Sequence, residues 1–462
     1  MMTLSEAAAV VGGRLHGNGA SFNSVSIDSR SLSPGDLFVA IPGAVHDGHD
    51  FVGKSADSGA AGAMVSNLQS VPISQIRVAD TTQSLGMLAR SWRERFSIPV
   101  LAITGSNGKT TVTRMVTSIL SEIGACLSPE RSFNNQWGVP LTLLGLNDSH
   151  RFAVIEMGTN GPGEIDYLSR LTQPTIALIN NVSAAHVEGL GDVRQISRAK
   201  SEIFSGMGKR GTAIINLDDP FHGEWQSHFK TCVPDGEILT FGLASEAMIR
   251  SENPNPDWQQ SEFDLVIGQQ TIHIVLPLPG IHNIHNAAAS AALAYAAGAD
   301  PESIRKGLEN TSGAPGRLRR VRGIKGAELF DDSYNANPRS IMAAIDVLAN
   351  YPGKKILVLG EMAELGHAGP EYHREVGAYA RQKHLDQFYC LGQQASELSA
   401  SYVEGFGKGA VHASDADVLI DELIHQIDDN TAVLVKGSRS SRMESIVAGI
   451  VDHAEAREDA SC

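Results

Sequence analysis

The sequence predicts an α/β protein of three domains, and three observations lead there. The chain has 462 residues, which at roughly 150 residues per domain makes about three. It is 42% hydrophobic and 19% charged, a balance that supports sizeable buried cores and excludes a disordered, collagenous or coiled-coil chain. Apolar β-branched runs alternate with helical periodicity, and the alternation changes character near residue 81 and restarts near residue 314. The expected units are a small N-terminal α/β domain over 1–81, a central domain over 82–313 with a mostly parallel sheet and an added β-hairpin region, and a doubly wound domain over 314–462.

Taken in order, the first unit holds short apolar runs broken by Gly, Asp and Ser, as in SIDSRSLSPGDLFVAIPG. The run PVLAI ahead of Gly105 reads as a buried strand. Val112, Met115, Val116, Ile119, Leu120 and Ile123 then recur at helical spacing, so a helix is expected from Lys109 to Gly124. FAVIEMG, TIALINNV and TAIINLD read as further parallel strands. The segment FDLVIGQQTIHIVLPLPG reads as a β-hairpin, and the Pro-containing stretch SENPNPDWQQSE before it as a loop. In the last unit AELF, KKILVLG, DQFYCLG and TAVLVKG are strands separated by helical patterns. Ligands in such folds sit at the carboxyl ends of the strands, where DDSYNANP, LGEMAELG and KGSRSSR fall.

A net charge of −15 argues against a general nucleic-acid-binding surface, so an anionic ligand must be held by local groups. The N-terminus lacks a basic segment followed by an apolar one, and no stretch approaches the ~18 apolar residues that span a bilayer. A cytoplasmic location is therefore expected. Cys126, Cys232, Cys390 and Cys462 stand far apart with no metal-ligand spacing, as free thiols in a reducing compartment do.

The strongest chemical signal is Thr104-Gly105-Ser106-Asn107-Gly108-Lys109-Thr110-Thr111 between a strand and a helix. Such a loop points backbone N–H groups and a helix N-terminus at phosphates, Lys109 reaches the β/γ oxygens, and a Thr hydroxyl can ligate Mg²⁺. It departs from GxxxxGK[ST], because Ile103 stands where the first Gly would lie. Glu156 ends the strand FAVIEMG, where a carboxylate beside a phosphate loop suits Mg²⁺. Lys200 falls on the apolar stripe of Val193, Ile196, Ile203, Phe204 and Met207, where an ammonium must pair, snorkel or lose its charge. Asn283 and Asn286 open an Ala-rich helix, which they can cap.

TGSNGKTT resembles the shortened P-loop of the Mur ligases, ATP-dependent enzymes that add amino acids to the UDP-muramoyl precursor of peptidoglycan. SIDSR, DGHDF, SFNNQWGVP, EMGTNGPGEI, NNVSAAHVEGLG, RAKSEIF, GIHNIHNAAA, DDSYNANP, GEMAELG and KGSRSSRME match that family in order over nearly the whole chain. FNNQWGVP, YNANP and GEMAELG most resemble the member that joins D-alanyl-D-alanine to UDP-N-acetylmuramoyl-tripeptide. The resemblance implies a UDP-binding first domain, a P-loop ATPase-like second and a Rossmann-like third that binds the dipeptide, in a monomer using ATP and two Mg²⁺ ions. It makes Thr110, Glu156, His186 and Lys200 metal-serving residues, Lys200 as its N6-carboxylated form. It places Asn286 near adenine, Arg317 on the ATP phosphates from the far domain, and Asp332 at the ribose or the domain interface. Ser29, Arg30, Asp47, Gly48 and His49 resemble the uridine-diphosphate pocket, although the same residues are ordinary turn formers. Asn134 and Asn135 resemble the sugar-diphosphate loop, and Lys436 or Arg439 orients the tripeptide carboxylate or the dipeptide. An acyl-phosphate intermediate follows.

Rivals lack their marks. The ligase that adds the third amino acid carries a DNPR-like motif where this chain has GEMAELG, folylpolyglutamate synthase reads GTNGKGS at the P-loop, and a switch GTPase needs an NKxD-type motif. A non-catalytic UDP-sugar-binding protein is the remaining alternative.

Overall fold

In the computed structural model, which describes residues 1–43, 45–129, 132–184, 187–393 and 396–459, the alternating runs assemble into sheets of five, nine and six strands and a two-stranded ribbon. The five-stranded sheet is formed by short segments in the order Arg14–His16, Gln75–Arg77, Gly62–Val65, Leu37–Val39 and Val25–Ser26. The helix Thr81–Arg93 that follows joins the next unit: Arg93 donates from Nε to the Thr172 carbonyl at 3.0 Å, and Trp137 donates to the Thr82 hydroxyl at 3.1 Å.

In the nine-stranded sheet β1 (Val100–Thr104), third from one edge and with all five residues buried, feeds α1 (Lys109–Ser121). β2 (Phe152–Glu156) and β3 (Ile176–Ile179) flank β1 in parallel, with Glu156 opposite Ile103 and Ile179 opposite Thr104. Gly105, Glu156 and Asn180 therefore emerge side by side at one sheet edge, the position where parallel sheets present ligands. α2 (Val193–Ser201) opens with a capping box in which the Asp192 side chain and Gln195 satisfy each other's backbone N–H groups.

The sheet continues in parallel through Thr212–Asn216 and Glu237–Gly242 to β4 (Ile249–Pro256), then ends with antiparallel β5 (Ser261–Ile267) and β6 (Gln270–Leu276). The hairpin β5–β6 agrees with expectation. The stretch before it does not: the expected loop is strand β4 as far as Pro256. Register slips between Glu252 and Asn255, and the slip accommodates Pro254 where no ladder N–H is needed. The edge strands Arg319–Arg322 and Ala410–Ala413 also lie outside the expected set, the first being polar and both only four residues long. α1 ends at Ser121 rather than Gly124.

α3 (Ile281–Ala296) and α4 (Pro301–Glu309) pack on the buried face of α1 formed by Val112, Met115, Val116, Ile119 and Leu120. In the six-stranded sheet β7 (Glu328–Asp332) and β8 (Lys354–Gly360) flank β9 (Thr431–Lys436) in parallel, placing Asp332 beside Lys436 in register. α5 (Pro338–Ala349) follows β7, and α6 (Gly369–Gln382) follows β8. The tip after β4 reaches this third unit, where the Trp258 ring meets Tyr351 edge-on at 5.0 Å and the Arg320 guanidinium covers it at 5.1 Å. Cys126, Cys232 and Cys390 are free thiols, and Cys462 lies outside the described residues. Among the described residues no helix is long and apolar enough to cross a membrane.

The seat of α1 is tight at Gly307 of α4, where a methyl group would overlap the backbone of Ile119. Gly307→Ala should therefore destabilise the protein by about 2 kcal/mol through overpacking, seen as a lower urea midpoint; an unchanged midpoint would mean that α4 shifts freely against α1.

Candidate functional site

Between the carboxyl ends of the central and C-terminal sheets lies a cavity of about 660 Å³, into which loops of both units project. Its floor is the loop Gly105–Gly108. Gly108 has φ +80, a left-handed conformation that glycine takes without strain, and a side chain there would strike Asn286 and Asn180. Lys109 begins α1 and folds back so that its Nζ donates to the Gly105 carbonyl at 2.8 Å. Burial depresses the Lys109 ammonium, opposed by the charge of Glu156 and reinforced by that of Arg317.

Asn107 is held at every polar atom. Its N–H donates to Asn181 Oδ1 at 2.9 Å, and its carbonyl accepts from Asn180 Nδ2 at 3.0 Å and Asn181 Nδ2 at 3.1 Å. Its Nδ2 donates to the Ser183 hydroxyl at 2.9 Å, and its Oδ1 accepts from Asn337 Nδ2 at 2.6 Å. The Ser106 hydroxyl donates to the Ser183 carbonyl and accepts from the Ser183 N–H. Sequence reasoning had singled out only His186 in this NNVS segment, and His186 lies outside the described residues. The signal for the rest was present, since the apolar run TIALI stops abruptly at two amides beside the phosphate loop.

Glu156 is buried, 1% exposed, and accepts from the Thr110 hydroxyl at 2.8 Å through Oε2 and from Asn134 Nδ2 at 2.8 Å through Oε1. Asn135 turns away from it and accepts from the N–H groups of Trp137 and Gly138, so its side chain shapes a helix start. Lys200 reaches the same cavity from α2, 2% exposed, with no hydrogen-bond or ion-pair partner among the described residues. Burial, reinforced by the charge of Lys109, pushes its ammonium well below the usual lysine range. No group of three His, Cys, Asp or Glu comes together as a metal site among the described residues. The Glu156 and Thr110 oxygens nevertheless fit Mg²⁺, because a buried carboxylate without a bonded cation sits beside a hydroxyl.

Asn286 Nδ2 donates to Asn283 Oδ1 at 3.2 Å, its Oδ1 accepts from Asn180, and both residues line the cavity. His282, His285 and Asp218 join them and were not foreseen. His285 faces Asp218 at 3.4 Å. Burial, followed by the charges of Lys436 and His285, brings His282 down to about 4.

On the opposite wall Arg317 lies 4.4 Å over the Tyr334 ring. Asp332 anchors the segment after it, accepting the Leu318 N–H at 3.0 Å, and pairs with Lys436 at 2.7 Å. Burial raises the Asp332 carboxyl against the pull of Lys436. Lys436 also donates to the Asn335 carbonyl at 2.9 Å, so its charge is committed inside the protein. Arg439 instead stands 69% exposed at the rim, 3.1 Å from Glu444.

Ser29, Arg30, Asp47, Gly48 and His49 do not line this cavity. Arg30 forks onto Asp28 at 2.7 and 2.9 Å, 81% exposed. His49 accepts the Ser66 N–H at Nε2, so its Nδ1 carries the proton and donates to Asp47 at 2.6 Å. This pair is a closed clamp inside the turn.

Three stretches of the chain match family domains: residues 21–93 the Mur ligase family catalytic domain, 103–294 the Mur ligase middle domain and 316–439 the Mur ligase glutamate ligase domain. The UDP-N-acetylmuramoyl-tripeptide--D-alanyl-D-alanine ligase of Escherichia coli (strain K12) is 38% identical over 455 residues, covering 98% of this chain and 99% of its own. The crystal structure of MurF from Acinetobacter baumannii superposes with a TM-score of 0.90 at 33% identity, covering 98% of this chain and 99% of its own. That of MurF from Thermotoga maritima in complex with ADP gives a TM-score of 0.80 at 25% identity, covering 94% and 98%.

The GEMAELG wall of the cavity is tied down by His373 of α6, fully buried. Its Nε2 accepts the Met362 N–H at 3.0 Å and its Nδ1 donates to the Gly369 carbonyl at 2.6 Å. Burial lowers the His373 pKa. Above about pH 6.5 the residue is neutral in folded and unfolded chains alike. As pH falls through that value the unfolded chain takes up the proton first, so stability is lost on the acid side. His373→Gln, which keeps a donor and an acceptor, should unfold in urea with a shallower loss of midpoint between pH 7 and 5; parallel curves for variant and wild type would rule this out.

Proposed function

The chain belongs to the Mur ligase family, and on that premise we propose that it joins D-alanyl-D-alanine to UDP-N-acetylmuramoyl-tripeptide in peptidoglycan precursor synthesis. It is an ATP-dependent, ADP-forming peptide ligase. The observation that carries this reading is one cavity in which the phosphate loop of the central unit faces the GEMAELG and KGSRSSR loops of the C-terminal unit, in a chain that resembles the Escherichia coli ligase from end to end.

The tripeptide's terminal carboxylate oxygen attacks the γ-phosphorus of ATP, the bond to the ADP oxygen breaks, and an acyl phosphate forms. The dipeptide amine then attacks the acyl carbon, loses one proton and expels phosphate as the amide forms. The start of α1 at Gly108 and Lys109 holds the phosphates, since the N–H groups of Ser106 and Asn107 are taken by Asn181. Arg317, steadied on Tyr334, brings a second cation from across the domain junction, where its planar fork suits two phosphoryl oxygens. We assign Asn286, which lines the cavity, to the adenine. We assign Arg439, exposed at the rim beside Glu444, to orient an incoming carboxylate, because Lys436 is buried in its pair with Asp332. Closure of both units excludes the water that would hydrolyse an acyl phosphate.

Thr110, Glu156 and His186 would hold Mg²⁺, which when bound neutralises charge on the phosphates. We assign Lys200 a carbamate. Its neutral amine nitrogen bonds to the carbon of CO₂ and releases a proton, turning an unpaired buried cation into an anion able to serve a second Mg²⁺. We assign Ser29, half-buried, and Arg30, exposed, of the first unit to the uridine diphosphate, with the clamp of Asp47, Gly48 and His49 shaping their surroundings. Asn134 and Asn135 line the cavity and are assigned to the sugar-diphosphate. The enzyme acts as a monomer in the cytoplasm.

Phosphate release measured over a matrix of UDP-muramoyl peptides and amine acceptors should be highest for the tripeptide with D-alanyl-D-alanine. The reading fails if glutamate or diaminopimelate serves as well. Lys200→Ala should fold normally yet lose about two orders of magnitude in kcat, and acetate should restore part of it by filling the vacated anion position. An ATP-bound, active wild type whose Lys200 is an unmodified ammonium paired with an acid would exclude the carbamate.

A further inference from the structure

Asn337 sits at the junction of two structural roles, and its amide is fixed in orientation by one of them. It is the residue before α5, and its Oδ1 accepts the backbone N–H of Ser340 at 2.9 Å, a helix cap. A backbone N–H can only donate, so the oxygen must face Ser340 and the Nδ2 must face outward. There it meets Asn107 Oδ1 at 2.6 Å, across 230 residues of sequence. Asn107 must then present its own nitrogen to Ser183, as it does at 2.9 Å. Ser183 in turn binds Ser106 through both its carbonyl and its N–H. One helix cap in the C-terminal unit thus dictates the amide orientations that run through the phosphate loop of the central unit. Arg339, in the first turn of the same helix, points its guanidinium at the Val182 carbonyl at 3.5 Å, beside Ser183.

We propose that Asn337 is a positioning residue that makes the shape of the phosphate loop depend on docking of the C-terminal unit. With α5 in place, Asn107 is locked, the N–H groups of Ser106 and Asn107 stay on Asn181, and the loop holds Gly108 and Lys109 against the cavity. With α5 withdrawn, Asn107 loses the partner of its Oδ1, and the loop tip is left to its bonds with Asn180, Asn181 and Ser183 alone. ATP would then be held in reactive geometry only when the unit that carries the acceptor site is seated. The steady-state assay rests on the ligase reading above, whereas loop protection does not.

Asn337→Asp separates the two roles. An aspartate caps a helix as well as asparagine does, but it sets an acceptor against the Asn107 oxygen. Asn337→Ser also caps and is too short to reach Asn107. We expect Asn337→Asp to melt within about 2 °C of wild type, to lose about tenfold or more in kcat/KM for ATP, and to leave KM for the UDP-tripeptide unchanged. Asn337→Ser should lose less. Hydrogen exchange followed by mass spectrometry with ADP present should show faster exchange over residues 105–108 in Asn337→Asp, with α5 as protected as in wild type. The proposal is overturned if loop exchange in Asn337→Asp equals that of wild type, or if α5 exchanges faster along with the loop, which would make Asn337 a cap alone. A wild type inactive as a ligase would count against the ligase reading, while loop exchange would still decide the coupling.

Discussion

The hold on Asn107 is the constraint on which the rest of the cavity depends. A phosphate loop works by turning backbone N–H groups toward its ligand, which leaves that backbone without internal partners and prone to collapse. Here Asn181 takes the N–H groups of Ser106 and Asn107, and Asn180, Asn181 and Ser183 of the neighbouring strand end, together with Asn337 from another unit, satisfy the other polar atoms of Asn107. Amides suit this work because each offers a donor and an acceptor a fixed distance apart without bringing charge to a site that must receive phosphate.

Charge is arranged by the same economy. Lys200 is buried and Lys109 half-buried in the same cavity, and the ammonium of each is lowered by desolvation and by a like charge, Lys109 for the first and Arg317 for the second. Such an arrangement is unfavourable in an isolated protein and favourable once anions enter, so the energy of the empty cavity is converted into affinity for them. On the facing wall the opposite solution holds: Asp332 and Lys436 neutralise each other within the sheet register and leave a rigid, electrically quiet support beneath Arg317.

The two walls are joined at several points beyond Asn337. Trp258, carried on the tip after β4, packs against Tyr351 and Arg320, and Arg339 reaches Val182. A stretch rich in Pro and Asn thereby becomes an interdomain contact. Its prolines and its register slip keep the strand from extending its ladder where the tip must turn toward the other unit.

By itself the sequence determined the α/β class, the parallel strands β1, β2, β3 and β7 to β9, the phosphate loop between β1 and α1, and the family, because these rest on local periodicity and on the order of contiguous motifs. It also brought Glu156, Lys200 and Asp332 to notice, since a charge at a strand end or on an apolar stripe is visible without coordinates. Only the tertiary structure decided that the Asn107 side chain bonds Ser183 and Asn337, that Lys436 is buried against Asp332 while Arg439 stands at the rim beside Glu444, that His49 closes on Asp47, and that a proline-bearing stretch is strand. These outcomes share one cause. The conformation of a polar side chain is set by whichever donor or acceptor folding brings within about 3 Å, and for Asn107 and Asn337 that partner lies 230 residues away, beyond the reach of any local pattern.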